Sequence, residues 1–464
     1  MRMSGAEAIM WAVEKDPALR SDFCNLTILD DCPDDDRLRV TLERALSAIP
    51  RLRQRVVGAP VPLMPPEFAD DPALDLSAHM RVVAVPSPGD DRALLELCGA
   101  LAEQPLDRTR PLFEFIVIVG LAGGRAALLQ KLHHTITDGV GAMRLSLALV
   151  DAERHPPAPS PASEPTDLRA PEENAAEGAA TTPTARRAAL VDATTRGIGA
   201  VRAGIGTAGH IVTHPAEVPG RAGDAARLAA SLQRQLLVTE TARSDEIGGR
   251  SLRRRFATHS VPLATLRKLA SHLGGSVNDA FVTGLASAMG RYHERLGSTV
   301  DELRVAIPIS TRGRADTASN RVVPTRVLIP IQPAHDIAAL FSAVHARLAD
   351  TKQESAVGAA EGLFGLVAGL PSPVLVALTR AQARTIDFAA SNLRGSRIPL
   401  YLAGTRIIAS FPFGPRIGSA LNVTMMSYCD DVHLGFNIDP AAIVDAQTFM
   451  DDVADAYRAF ETWI

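Results

Sequence analysis

Two apolar runs set the strongest limit on how this chain can fold. EFIVIV at 114–119 is an almost continuous apolar stretch rich in β-branched residues, and RAALLQKLHH follows at 125–134. Such a run reads as a buried strand, and Gly123-Gly124 between the two supplies the turn of a hairpin. Helical patterns surround them. Residues 36–48 line up Leu38, Leu42, Ala45 and Leu46, with Ile49 just beyond, and residues 91–102 (DRALLELCGALA) start behind Pro88-Gly89. Further segments in this half read as helices over 5–15 and 140–152, strands over 25–30 and 80–85, and a proline-punctuated loop over 60–72.

The same mixed α/β rhythm returns after a break. Residues 153–184 hold seven prolines among Ala, Glu, Ser and Thr, the composition of a flexible or PPII-like connector with no catalytic role. The Ala/Gly-rich segment up to Asp224 is a weak helix at best. Beyond it, strands are predicted over 253–261, 303–310, 321–331, 385–393, 405–411, 421–428 and 432–439. Helices are predicted over 263–273, 277–296, 337–350 and 441–460. The chain has 464 residues, and single cores stop growing at about 250–300 residues. Two domains are therefore expected, 1–152 and 241–464, joined by 153–240.

Composition removes several function classes. Lys+Arg total 48 against 52 Asp+Glu, a net charge of −4, and aromatic residues are 4%. Neither a phosphate-neutralising face nor base-stacking platforms follow from that, so no nucleic-acid partner is expected. Cys24, Cys32, Cys98 and Cys429 form no CxxC pair and read as reduced thiols. Glu7, Glu14 and Lys15 interrupt any secretory apolar region. The uncharged stretch from Gly362 to Thr379 reaches the minimum spanning length of about 18 residues. Pro371-Ser372-Pro373 divides it, which predicts two buried helices rather than a span. GIGTAG at 204–209 has the GxGxxG spacing but no preceding strand, so dinucleotide binding is not supported. P-loop and nucleophile-elbow motifs are absent. Arg250, Arg253, Arg254 and Arg255 read more readily as a solvated strand edge than as a phosphate site.

The segment with the most chemistry is His133-His134-Thr135-Ile136-Thr137-Asp138-Gly139. It lies where a strand gives way to a helix, the position at which open α/β sheets present ligands. Neighbouring strand residues point to opposite faces, so one of the two histidines projects into a given cleft. An imidazole with an unperturbed pKa of about 6.5 is suited to accept a proton near neutrality. Asp138 can cap helix N–H groups or pair with an arginine, and Gly139 loosens the turn. A metal site lacks a third ligand, so none is expected.

HHTITDG fits the HHxxxDG signature of the CoA-dependent acyltransferase superfamily. PLDRTRPLFEFIVI (105–118), SVNDAFVTGLASAMGRYH (276–293), VAIPISTR (305–312), SNLRGSRIPLYLAGTRI (391–407) and FPFGPRIGSALNVTMMSYCDDVHLGFNID (411–439) resemble, in order, motifs of the bacterial wax ester synthase/diacylglycerol acyltransferase family. The resemblance implies two chloramphenicol acetyltransferase-like α/β domains, each a mixed sheet flanked by helices, with a tunnel between them. It implies transfer of a fatty acyl group from acyl-CoA, as substrate and not as a resident cofactor, to a lipid alcohol. His134 would be the general base, His133 its packed neighbour, Asp138 a structural residue and Gly139 the open turn. Asn278 and Asp279 match the family's Asn-Asp motif. Asn278 also opens a helix, so an N-cap role stands beside a site role. Asn392 and Ser427 are candidates for polar groups lining the tunnel. The family's Pro-Leu-Trp is Pro111-Leu112-Phe113 here, which keeps the aromatic ring and loses the indole donor.

The resemblance places the protein in the cytoplasm and leaves open attachment to the inner membrane face or to lipid droplets. Two alternatives stand beside it. One is a condensation-type relative with another acyl donor or acceptor. The other is an inactive lipid-surface scaffold that kept the fold. Acceptor, acyl length and oligomeric state are not encoded in any motif.

Overall fold

In the computed structural model, residues 2–58, 65–136, 145, 148–156, 242–310, 322–331, 336–353 and 370–463 are described. The first half runs α1 (Gly5–Val13), β1 (Asp22–Leu29), α2 (Asp35–Ala48), β2 (Gln54–Val57), β3 (Glu67–Asp70), β4 (Met80–Ala84), α3 (Asp91–Glu103), β5 (Phe113–Val119) and β6 (Ala126–His133). The second runs β7 (Arg255–Pro262), α4 (Leu263–His272), α5 (Val277–Arg295), β8 (Glu302–Ser310), β9 (Val322–Pro330), α6 (Ile337–Gln353), α7 (Ser372–Ala383), β10 (Phe388–Arg394), β11 (Tyr401–Leu402), β12 (Thr405–Phe413), β13 (Leu421–Tyr428), β14 (Asp431–Ile438) and α8 (Ala446–Trp463).

Two six-stranded mixed sheets organise these elements, in the orders β11-β12-β1-β6-β5-β4 and β7-β14-β13-β10-β8-β9. The β5–β6 hairpin read from the apolar runs is antiparallel and in register, with Phe115 opposite Gln130 and Val117 opposite Leu128. Every residue of β6 is buried, because this sheet carries apolar cores on both faces. On one face Leu38, Leu42 and Ala45 of α2 cover Phe113, Phe115, Leu128 and Leu132. On the other Leu94, Cys98 and Leu101 of α3 cover Leu26, Ile116, Ile118 and Leu129. Lys131 is fully buried on that second face. Its Nζ donates to the carbonyls of Leu101, at 3.1 Å, and Gln104, satisfying the acceptors that α3 leaves at its C-terminus. Burial pushes this ammonium's pKa down.

The second sheet packs one face against α4, α5, α6 and α8 through residues such as Leu266, Phe281, Leu285, Phe341, Phe449 and Val453. Its other face meets β12. Phe256 stacks on Phe413 with centroids 4.0 Å apart. A Cβ on Gly435 would fall 2.0 Å from the Pro412 carbonyl oxygen, so only glycine permits that approach. β11 and β12 come from the second half of the chain yet extend the first sheet, with β12 antiparallel to β1 from Cys24–Phe413 to Leu29–Ile407.

Several sequence expectations need correction. The loop over 60–72 contains β3, which pairs with β2 as a two-stranded ribbon; strands of four residues leave little periodic signal. The helix expected over 140–152 stops earlier, since Asp151 bridges Tyr401 through backbone bonds of 2.8 Å in both directions. The last helix starts at Ala446, five residues late, because Asp445 accepts from the Thr448 N–H and sets the cap there. Of the two buried helices expected around Pro371, the second is α7, a surface helix. It buries Leu375 and Ala383 but exposes Val374 and Leu378. The first lies outside the described residues, as do GIGTAG and nearly all of the proline-rich segment. Arg254 is no solvated edge residue: its guanidinium is 6% exposed and grips Asp22.

Candidate active site

The register of β1 and β6 builds the site. Asp22 stands opposite His133 at the end of the ladder. His134 is the first residue past the strand, yet its N–H still donates to the Ser21 carbonyl at 3.2 Å. The two histidines therefore keep the alternation of strand neighbours and leave on opposite sides.

His133 is buried at 3% exposure, and both ring nitrogens are engaged. The Thr135 backbone N–H donates to Nδ1 at 3.1 Å, and the Thr135 hydroxyl lies 2.7 Å from the same atom. A backbone N–H can only donate, so Nδ1 carries no proton and the ring proton sits on Nε2. Nε2 then donates to Oε1 of Glu14 at 2.6 Å. The Trp11 ring meets the imidazole edge-on at 6.1 Å. No nitrogen of His133 is left to take a proton from a substrate. His134, by contrast, is half-buried, with its ring tilted against Phe23 at 5.1 Å. Asp138 and Gly139 lie outside the described residues.

The other sequence candidates fall into two places. Pro111, Leu112 and Phe113 are buried where the chain enters β5 of the hairpin. Leu112 accepts from the His133 N–H at 3.0 Å, and Phe113 stacks on His79 at 4.2 Å while accepting from its Nδ1 at 2.9 Å. In the second half, Asn392 on β10 donates to Oδ1 of Asn278 on α5 at 3.3 Å. Ser427, beside them on the parallel strand β13, accepts from the Gly395 N–H at 3.3 Å.

Asn278 is not the helix cap. Ser276 is the N-cap, and it forms a capping box with Asp279. Asp279 is 2% exposed. Its Oδ2 accepts from the Ser276 N–H at 2.7 Å and faces His345 Nδ1 at 2.9 Å, while Oδ1 is buried with no hydrogen bond. Capping thus occupies Asp279 and releases the Asn278 amide to face Asn392.

The residue that sequence reading missed is Glu14, the C-cap of α1, whose side chain is 6% exposed. It had entered only as a charge in a would-be leader. The 119 residues separating it from His133 hide the pairing from any local pattern. A cavity of about 360 Å³ opens on this side of the sheet, lined by Glu14, Arg20, Arg108, Leu112, His133 and Arg253 among others. It touches the locked histidine and not His134, so it is not assigned as the reaction chamber. Among the described residues no cluster of three His, Cys, Asp or Glu groups is arranged to hold a metal ion. Among them also, no helix is long and apolar enough to cross a membrane.

Residues 3–281 match the wax ester synthase/diacylglycerol acyltransferase catalytic domain, and residues 318–461 match the C-terminal domain of the same family. A Mycobacterium tuberculosis H37Rv protein named as a diacylglycerol O-acyltransferase is 33% identical over 423 residues, covering 90% of this chain and 83% of its own length. Among solved structures, the wax ester synthase/diacylglycerol acyltransferase from Marinobacter aquaeolei VT8 superposes with a TM-score of 0.62 at 20% identity, covering 100% of this chain and 99% of its own. A starter condensation domain of rhizomide synthetase, solved in complex with C8-CoA and Leu-SNAC, gives a TM-score of 0.56 at 13% identity over 100% of this chain and 94% of its own. These two share the fold of two mixed sheets flanked by helices. With both family domains matched in order along one chain, the protein belongs to the wax ester synthase/diacylglycerol acyltransferase family.

Proposed function

We propose that this protein transfers a fatty acyl group from acyl-CoA to the hydroxyl of a lipid alcohol, diacylglycerol or a long-chain alcohol, with His134 as general base. The reading rests on family membership together with one observation, the complete engagement of His133. His133 is thereby committed to the fold, and the role of base falls to His134, the second histidine of the motif. Its ring takes the proton as the alcohol oxygen attacks the thioester carbonyl carbon. The tetrahedral intermediate collapses with cleavage of the C–S bond, and the imidazolium returns the proton to the departing CoA thiolate. Direct transfer requires no covalent enzyme intermediate, and holding both substrates in line supplies much of the acceleration.

Asn278 and Asn392 are assigned to binding polar atoms of the substrates, with Ser427 beside them. Pro111, Leu112 and Phe113 act at the start of β5, by fixing the end of the hairpin that carries the histidines. Contact with a lipid surface is assigned to α7, where Val374, Ala377, Leu378 and Ala381 form one exposed apolar stripe and Leu370 precedes it. The test is turnover with purified protein, oleoyl-CoA and either dioleoylglycerol or hexadecanol, following CoA release and the ester product. Ester formation supports the reading. CoA release without an ester, or no reaction with either alcohol, contradicts it. Flotation with phospholipid vesicles tests α7: Val374→Asp/Leu378→Asp should reduce the bound fraction, and unchanged binding would exclude this helix.

A further inference from the structure

We propose that Glu14 is a positioning residue for His134, acting through one carboxylate oxygen that holds both histidines of the motif. The proposal rests on His134 being the base. Oε1 of Glu14 accepts two hydrogen bonds of 2.6 Å, from His133 Nε2 and from the Ser21 backbone N–H. The Ser21 carbonyl in turn accepts from the His134 N–H. A single atom thus fixes the ring of the first histidine and, through one peptide unit, the backbone of the second.

Glu14 is itself held firmly. It sits at the end of α1 with 6% of its side chain exposed. Oε2 faces the Arg108 guanidinium at 3.9 Å. Arg108 lies over the Trp11 ring at 3.5 Å and donates to the Trp11 carbonyl at 2.9 Å. The path runs from α1 across the end of the first sheet to the residue just beyond β6. The bond from the His134 N–H to the Ser21 carbonyl continues the β1–β6 ladder one residue past the strand, so the position of the Ser21 peptide helps set where the His134 backbone lies. A displacement of about 1 Å at a reacting group can cost about 100-fold in rate.

The geometry separates reach from charge. Glutamine at position 14 keeps a carbonyl oxygen where Oε1 stands, able to accept from both His133 and Ser21, and loses the charge. Aspartate keeps the charge and withdraws the oxygens by one methylene. The experiment measures kcat, KM for each substrate and Tm for Glu14→Ala, Glu14→Gln, Glu14→Asp and His134→Ala. Arg295→Ala, which breaks the pair with Asp452 far along the chain, serves as a destabilised control. The expected pattern is a kcat loss approaching 100-fold in Glu14→Ala and Glu14→Asp at unchanged KM, with most of the rate restored in Glu14→Gln. Should the alanine variant not fold, the aspartate and glutamine variants carry the comparison. Loss in His134→Ala with wild-type kcat in Glu14→Asp overturns the role of Glu14 alone. So does a kcat loss no larger than that of the control at equal loss of Tm. Wild-type turnover in His134→Ala overturns the base assignment, and the Glu14 proposal with it.

Discussion

Arg254 and Asp22 form a buried bidentate pair, with Nη1 at 2.8 Å and Nη2 at 3.1 Å from the two carboxylate oxygens and about 5% of either side chain exposed. Asp22 opens β1 opposite His133, and Arg254 precedes β7, so the pair ties the end of the histidine strand to the second half of the chain. Burial alone would push the Asp22 carboxyl up, but Arg254 and Arg20 outweigh it and hold its pKa below the usual range. Removing one partner of such a pair strands the other. Arg254→Ala should cost about 3–5 kcal/mol in urea unfolding, and Arg254→Lys should recover only part, lacking the fork. A loss under about 1 kcal/mol would mean that the pair is not coupled to folding.

Stability should fall on mild acidification. His293 and His433 are almost fully buried, and desolvation pushes both below the ordinary imidazole pKa. His293 donates from Nδ1 to the Met289 carbonyl and takes the Ser244 hydroxyl on Nε2, as suits a neutral ring. Between the lowered folded value and the unfolded value of about 6.5, the unfolded chain binds more protons. Their contribution is therefore intact above about pH 6.5 and is lost as pH falls through the folded values. Tm measured from pH 7.5 to 5 should decline in wild type and decline less in His433→Gln. A flat profile over that window would contradict the assignment. Asp22 adds a separate loss only below about pH 4, where the unfolded chain's carboxyl takes up a proton that the folded one, held below the usual range by Arg254 and Arg20, still refuses.

Thiol reactivity should separate the cysteines. Burial, with the Asp22 carboxylate adding to it, pushes the Cys24 thiol up to about 12, and burial also raises Cys98. Cys32 is exposed. Iodoacetamide at pH 8 should alkylate Cys32 in the native protein and reach Cys24 and Cys98 only after unfolding. Rapid native-state labelling of Cys24 would show that the β1 core opens.

Gly435 marks where β14 meets β12. Gly435→Ala must displace the Pro412 backbone and should cost about 1–3 kcal/mol. An unchanged Tm would mean that the two strands separate without strain.

What could be read directly from the chain was what local spacing encodes. The buried hairpin, the α2 and α3 faces and the order of strands in the second half follow from periodicity, and the resemblance anchored the family. Pairings over long separations were not legible. Nothing near residue 405 says that β12 hydrogen-bonds into the first sheet while packing on the face of the second. Arg254 reads as one of four clustered arginines until Asp22, 232 residues earlier, is brought to it. α7 was expected to be buried because its composition is apolar, yet composition does not say whether a partner covers the outer face. At the site, strand alternation says only that one of the two histidines enters a given cleft, and the resemblance pointed to His134; the engagement of His133 by Glu14 and Thr135 is assembled only by the fold.

The most direct measurement is the acyl-transfer turnover of folded His134→Ala, compared with His133→Ala under saturating oleoyl-CoA and alcohol. His133→Ala removes one of the two donors to Glu14 Oε1 and should act mainly through stability, by about 1–3 kcal/mol. Loss of the base should lower kcat in His134→Ala by about 10²–10⁴-fold with near-wild-type Tm. A stable His134→Ala protein turning over at close to the wild-type rate would contradict proton transfer at this residue.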